Sequence, residues 1–330
     1  MRIHIACLAL ILLSFGGCNP VEQAHQKEVQ RNLKQIEQTL ENYHESHEGT
    51  GTQSSPVTKN VAPKAQVPSD PADEQPTARA TISILSWNVE SGGNDPAIIV
   101  SQLSAFSGYD ILCLCEVSAK NFTRYRDAVG EDFTFVKSNT GRSDRLQIIF
   151  NTNRFELLQQ KELHRYGDHE LNNGTHRSPL FVRLRDRGSG VEFIVMTNHL
   201  ARRNADLRTQ QAIGMREWAR DQSVAIINIG DFNMDYDFRT KEGNDAFIEM
   251  LRDNVWMWVK PTEFIDSNWS DPDGDGNDNY PNSMLDFAFV AGPAKDWNPV
   301  CKVLVLEDDF PDDNTTSDHR PIELRMTLPE

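Results

Sequence analysis

Short apolar runs closed by turn residues dominate the chain from Thr81 onward. Runs at Thr81–Val89, Tyr109–Val117, Arg145–Asn151, Leu180–Leu184, Val191–His199, Ser223–Gly230, Met284–Ala291 and Cys301–Leu306 predict strands. Helical spacing falls between some of them, at Pro96–Phe106, Ala119–Val129, Ala205–Arg220 and Asn244–Leu251. Pro96 directly after Asn94-Asp95 is a strong helix start. Strands outnumber helices and do not alternate strictly with them, so an α+β sandwich fits better than a doubly wound parallel sheet. The run Val224-Ala225-Ile226-Ile227-Asn228-Ile229 suits a strand covered on both faces. Gly230 is expected to end it in a sharp turn, leaving Asp231 and Asn233 at the tip.

Upstream of Thr81 the pattern changes three times. Arg2 precedes an apolar run from Ile5 to Leu13, and Gly16-Gly17 precede Cys18, which is the layout of a secretory signal. The run is too short to span a bilayer as a permanent helix. It resembles a bacterial lipoprotein signal over residues 1–18, with Cys18 lipidated and Phe15 standing where leucine is usual. Residues 19–48 are rich in Gln, Glu, Lys and His. Val29, Leu33, Ile36, Leu40 and Tyr43 form a narrow helical stripe there, too brief for a full coiled coil. Residues 49–80 carry Pro, Ser, Thr and Gly without apolar periodicity and read as a disordered linker. The folded domain is expected at 81–330, outside the cytoplasm and tethered to the cell envelope through Cys18, with a secreted or periplasmic form as the alternative.

Composition narrows the function. Charged residues make up 25% of the 330 positions and the formal net charge is −16. The first 80 residues hold 7 basic and 9 acidic side chains, so the excess acidity belongs to the domain. A partner gripped by a broad basic surface is therefore excluded, whereas a small phosphate pocket or bound cations are not. Five scattered cysteines do not make a disulfide framework, and Cys113 and Cys115 read as small buried hydrophobes.

The polar residues closing the apolar runs carry the chemistry. Asn88 follows Ser86-Trp87, Glu116 ends Ile111–Cys115, and His199 follows Thr197-Asn198. Asp286 opens a strand, and Ser317-Asp318-His319-Arg320-Pro321 precedes the last one. A carboxylate at the end of a buried strand is costly unless paired or bound to a cation. Any one of these is more often a satisfied core group. Five strands with the same habit instead describe a pocket of carboxylates, amides and imidazoles suited to a hard divalent ion.

This set resembles the endonuclease/exonuclease/phosphatase superfamily, the group of pancreatic deoxyribonuclease, AP endonucleases, neutral sphingomyelinases and inositol polyphosphate 5-phosphatases. Ser86-Trp87-Asn88, Glu116, Arg177 with Pro179, Asn198-His199-Leu200, Gly230-Asp231-Phe232-Asn233, Leu285-Asp286 and Ser317–Pro321 occur in the family order. The resemblance implies a four-layer α/β/β/α sandwich with two packed mixed sheets. It implies Mg²⁺, with Mn²⁺ as the alternative, held by Asn88, Glu116 and Asp318. Asp231 and Asn233 would activate the attacking water, or Asp231 would hold a second ion. His199 and His319 would bind phosphate oxygens, Asp286 would set one imidazole, and Arg177 and Asn233 would contact the phosphate. A carboxylate behind a histidine fixes its tautomer and raises its pKa.

Two departures qualify the substrate. Many nucleases of the family place a tyrosine between the glutamate and the arginine; the Gly141–Arg145 loop offers none, leaving Tyr166 as the candidate. Asp271–Asp278 alternates carboxylates, with glycine at its sixth position, like a Ca²⁺ loop. Its twelfth position is Asn282 rather than glutamate, and a solvated acidic loop is the competing reading. Arg202, Arg203 and Arg208 fit a substrate groove or a solvated helix face equally, and Trp256 and Trp258 fit a core. The expected activity is a metal-dependent nuclease, favoured over a lipid or inositol-type phosphodiesterase or phosphatase. An inactive surface binding protein is disfavoured by the complete ligand set. No protein partner is expected and the catalytic domain reads as monomeric.

Overall fold

The computed structural model describes residues 81–271, 274–306, 309 and 316–329. These belong to the second of two compact units, Glu74–Glu330. The secretory signal, the polar helix and the linker expected in residues 1–80 lie outside the described residues.

Fourteen strands run in the order β1 (Thr81–Asn88), β2 (Ile111–Val117), β3 (Phe133–Lys137), β4 (Arg145–Asn151), β5 (Phe155–Glu162), β6 (Arg165–Tyr166), β7 (His169–Glu170), β8 (Leu180–Asp186), β9 (Glu192–His199), β10 (Ala225–Asp237), β11 (Trp256–Trp258), β12 (Ser283–Ala291), β13 (Val300–Val303) and β14 (Ile322–Thr327). Four helices, α1 (Pro96–Ala105), α2 (Phe122–Val129), α3 (Ala205–Arg220) and α4 (Asp245–Leu251), complete the described elements apart from two 3₁₀ turns. One sheet has the order β13-β14-β1-β2-β4-β3 and the other β11-β12-β10-β9-β8-β5. Only β1 with β2 and β9 with β10 pair in parallel; the remaining neighbours are antiparallel.

The layering follows from the period of two along each strand. Ile84, Cys113, Ile148, Val195, Ile227, Val290 and Leu324 point between the sheets into one core. Their neighbours Leu85, Leu112, Leu114 and Ile149 point the other way and pack on Ile99, Leu103 and Tyr125 of α1 and α2. On the far side Met196, Ile226 and Phe289 meet Met215 and Trp218 of α3 and Phe247 of α4. The four-layer α/β/β/α sandwich is thus as expected. Each fully buried side chain contributes roughly 1.5–3 kcal/mol, and strands covered on both faces become the continuous apolar runs of the sequence. Helices α1, α3 and α4 start on caps: Asp95, Asn204 and Asn244 accept from Ala97, Leu207 and Ala246 backbone amides.

Two expectations are corrected. Gly230 does not turn the chain: β10 runs thirteen residues from Ala225 to Asp237, and Gly230 lies inside it beside Asn198 of β9. A Cβ there would stand 2.4 Å from the Asn198 carbonyl oxygen, so glycine is required by close strand approach. Asp231 and Asn233 are therefore on a long strand and not at its tip. Several strands also lie outside the expected runs, β5 among them. It is an edge strand paired only with β8, and five of its residues, from Leu157 to Lys161, are polar or half-open, which hides its period.

Candidate active site

Parallel pairing brings the chemistry to one end of both sheets. In the second sheet His199 of β9 and Asp286 of β12 are the register partners of Asp231 on either side of β10. In the first sheet Asn88 of β1 pairs with Cys115, one residue before Glu116. Register breaks then aim the groups. β2 and β4 slip between Leu114 and Val117, and β10 and β12 slip between Asp231 and Tyr236. Such bulges re-aim side chains at strand ends. Glu116 and Asn233 sit in these irregular stretches with φ of 56° and 52°. A left-handed backbone at a residue other than glycine costs on the order of 1–3 kcal/mol and is retained where the surroundings enforce it.

Asp231 is the centre. Its Oδ1 accepts the Asn233 amide at 3.0 Å and its Oδ2 accepts Asn88 Nδ2 at 3.1 Å. Two imidazoles face the same Oδ2, His199 Nε2 at 3.3 Å and His319 Nε2 at 3.9 Å. Each ring turns its other nitrogen to a carboxylate. His319 Nδ1 lies 2.8 Å from Asp286 Oδ2, and His199 Nδ1 lies 3.5 Å from Asp144 Oδ1 and 3.7 Å from Glu116 Oε1. Asp286 is fixed in turn by the Ser267 hydroxyl at 2.9 Å. Asn233 Nδ2 donates to Leu200 O at 3.0 Å. The loop bearing His319 is docked on β1, with Ser317 Oγ donating to Asn88 O at 2.5 Å and Trp87 Nε1 donating to His319 O at 2.8 Å.

Asp144 is the residue that sequence reasoning missed. It lies in the loop searched for a tyrosine, and it holds Arg177 Nη1 at 2.9 Å while facing His199. Gly141, with φ of 96°, opens that loop, where a Cβ would meet Arg177 Cγ at 2.6 Å. A carboxylate beside two arginines in Arg142-Ser143-Asp144-Arg145 was the only signal, and a surface ion pair explains such a pattern equally well. Tyr166 does not line the pocket; its hydroxyl donates to Asp221.

Glu116, Asp144, His199, Asp231, Asn233, Arg177, Asp318 and His319 surround one open pocket of about 470 Å³. Asn88 and Asp286 stand behind it, touching Glu116 and His319. Asn88 turns its Nδ2 to the Glu116 carboxylate at 3.2 Å, while its oxygen accepts the Glu90 amide. Asp318 lies at the rim, with Oδ1 4.0 Å from His319 Nε2 and its amide donating to Glu90. Three donors that could share one ion are Glu116, Asp144 and His199, with candidate ligand atoms all within 4.8 Å of one another. Asp144 Oδ1 and His199 Nδ1 are buried and have no hydrogen-bond partner among the described residues. Crowded carboxylates with unspent lone pairs fit a divalent cation.

The charge states follow from burial and neighbours. Burial lowers His319, but Asp286, Asp318 and Asp231 outweigh it and hold the imidazole well above the usual histidine range. Burial pushes the Asp286 carboxyl up, and His319 pulls it back, leaving it at about 6. At neutral pH the two are therefore an ion pair. Burial would also raise Asp144, yet His199, Arg177 and His176 hold it below the ordinary carboxylate range. Cys115 is an inert thiol, pushed far up by burial and donating to Asn198 O at 2.9 Å.

Other expected features fall into place around the pocket. Arg202 and Arg203 line it, whereas Arg208 is buried and donates to the carbonyls of Ala201 and Arg202. Trp256 and Trp258 are core residues. In the Asp271–Asp278 loop the Asp271 carboxylate accepts the amides of Gly274, Asp275 and Gly276. Asp273 lies outside the described residues.

The likeness to known proteins agrees with this geometry. The model of the Endonuclease/Exonuclease/phosphatase family matches residues 85–319. No curated protein matches the chain. Among solved structures, D. rerio TDP2 complexed with a single-strand DNA product is similar at 16% identity and a TM-score of 0.59, over 76% of this chain and 100% of that one. An endonuclease/exonuclease/phosphatase family protein from Bacteroides thetaiotaomicron is similar at 17% identity and 0.57, over 76% and 99%. A mannosyl-6-phosphatase of the same organism is similar at 18% and 0.54, over 75% and 100%. At these identities the structures speak for the fold alone; the family match spans the candidate site from Leu85 in β1 to His319, and the chain belongs to the endonuclease/exonuclease/phosphatase family of phosphoester hydrolases.

Proposed function

We propose that the protein is an exported, metal-dependent phosphodiester hydrolase whose first substrate is a nucleic-acid strand. The observation that supports it most is Asp231 flanked by two carboxylate-backed imidazoles, with Glu116 beside them. A divalent ion, Mg²⁺ or Mn²⁺, would be held by Glu116 with Asp144 or Asp231, and it would supply neutralisation of phosphate charge. His319, a cation at neutral pH, donates from Nε2 to a phosphate oxygen, and His199 does so from the other side. Asp231, braced by Asn88 and the Asn233 amide, accepts a proton from the attacking water. Arg177 meets the phosphate, with Asp144 fixing its angle.

A second reading, a phosphatase or phosphodiesterase for lipid or small phosphoesters, draws support from charge. The net charge is −16, and Arg177 and Arg202 are each engaged by a carboxylate, Asp144 and Asp235. That is a poor footprint for long nucleic acids. TDP2 was solved with single-strand DNA and a neighbour is a mannosyl-6-phosphatase, so both classes of substrate occur on this fold.

Incubating the purified protein with plasmid DNA, RNA, sphingomyelin and inositol phosphates, each with Mg²⁺, Mn²⁺, Ca²⁺ or EDTA, decides between them. Metal-dependent cleavage that a Glu116→Gln variant loses is expected. Survival of every substrate, or equal cleavage by that variant, removes the enzyme reading. We further propose that Cys18 is the lipidated first residue of the mature chain; an unmodified Cys18 in mass spectra of the mature N-terminus rules this out.

A further inference from the structure

A larger cavity of about 560 Å³ adjoins the catalytic pocket, and Arg202, Asn268 and Leu285 belong to the walls of both. Four observations bear on what it could receive. Asn268 is only 4% exposed, and its Oδ1 has no hydrogen-bond partner among the described residues. A buried amide oxygen left unpaired awaits a donor from a ligand. Tyr280 lines the cavity and is 55% exposed, and the Arg202 guanidinium stands 6.0 Å from its ring centroid. The segment carrying Tyr280 is pinned. The Asp278 carboxylate accepts the amides of Ser270 and Tyr280, and Ser283 Oγ donates to Tyr280 O at 2.8 Å. Finally, Asp235 and Asp237 line the cavity opposite Arg202 and Arg239, so the charges of its wall balance and it suits a neutral group.

We propose that this cavity receives a nucleobase attached to the substrate beside its scissile phosphate, stacked on Tyr280 and donating a hydrogen bond to Asn268 Oδ1. The inference rests on the phosphodiesterase reading for the position of the phosphate. It selects a nucleotide over a lipid or inositol phosphate as the occupant of the joined pockets. Stacking of a base on an aromatic side chain contributes about tenfold or more in affinity.

The test is calorimetric and needs no turnover. The full chain with Mg²⁺ is titrated with three carbon-linked phosphonates, which a hydrolase does not cleave: a thymidine phosphonate, a ribose phosphonate and methylphosphonate. The thymidine analogue is expected to bind about tenfold or more tighter than the other two. Tyr280→Ala is expected to erase that ratio, and Tyr280→Phe to keep it. Equal binding of the ribose and thymidine analogues, or a Tyr280→Ala variant that keeps the ratio, overturns the proposal. Hydrolysis by wild type against Glu116→Gln tests the underlying reading separately, and a failure there leaves the binding ratio interpretable.

Discussion

Replacing Gly230 with alanine tests how the fold aims the chemistry. The added Cβ would stand 2.4 Å from Asn198 O and 2.9 Å from Asn198 N, both backbone atoms of the neighbouring strand. Ordinary contact begins at 3.4 Å, so β9 and β10 must part by about 1 Å at this rung. Backbone overpacking of this kind costs about 1–3 kcal/mol, which lowers Tm by roughly 2–4 °C per kcal/mol in a domain of this size. The next rung pairs Asp231 with His199, so the same displacement reaches the two groups proposed to be catalytic. A misplacement of about 1 Å costs on the order of 10²-fold in rate. Thermal unfolding by circular dichroism and kcat/KM on the substrate found active are the assays. A variant melting within about 1 °C of wild type with unchanged kcat/KM would refute the close-approach account.

Asp144→Asn removes the partner of both Arg177 and His199, and is expected to lower kcat/KM by about 10–100-fold while Tm changes little; an unchanged rate contradicts the second His–carboxylate pair. In Asp286→Asn, His319 loses the charge that raises it, so activity should fall about 10²-fold or more and the alkaline limb of the pH profile should move to lower pH; a limb that stays in place excludes His319 as the titrating group. Away from the site, burial would raise Asp186, but Arg154 at 2.9 Å and the Ser189 amide at 2.8 Å hold it below the ordinary range. Its contribution is therefore present above the unfolded value of about 3.9 and lost as pH falls through the lower folded value. Denaturant titrations of Asp186→Asn should show a loss of about 1–3 kcal/mol at pH 7 that holds down to about pH 4 and narrows below it; a difference that stays constant into strong acid speaks against the pairing.

The long core strands and all four helices are legible in the sequence because their signals are local. Strands buried on both faces leave unbroken apolar runs, and Asp95-Pro96, Asn204 and Asn244 mark helix starts. Asn88, Glu116, His199, Asp231, Asp286 and His319 are legible together, as polar ends of apolar runs. What is hidden depends on tertiary contact. Gly230 looks like a turn because glycine marks turns and close strand approaches alike, and only the position of Asn198 decides. Asp144 looks like a surface acid until Arg177, from the loop before β8, and His199, from the end of β9, arrive beside it. β11, at Trp256–Trp258, is too short for a period of two to register.

The central claim is that groups from both sheets hold a cation beside two carboxylate-backed imidazoles. Crystals of the protein soaked in Mn²⁺ and measured at the manganese absorption edge test it most directly. The account predicts an anomalous peak within bonding distance of a Glu116 carboxylate oxygen, absent in Glu116→Gln crystals. A peak only at the Asp271–Asp278 loop, or none in the pocket at saturating Mn²⁺, would contradict it.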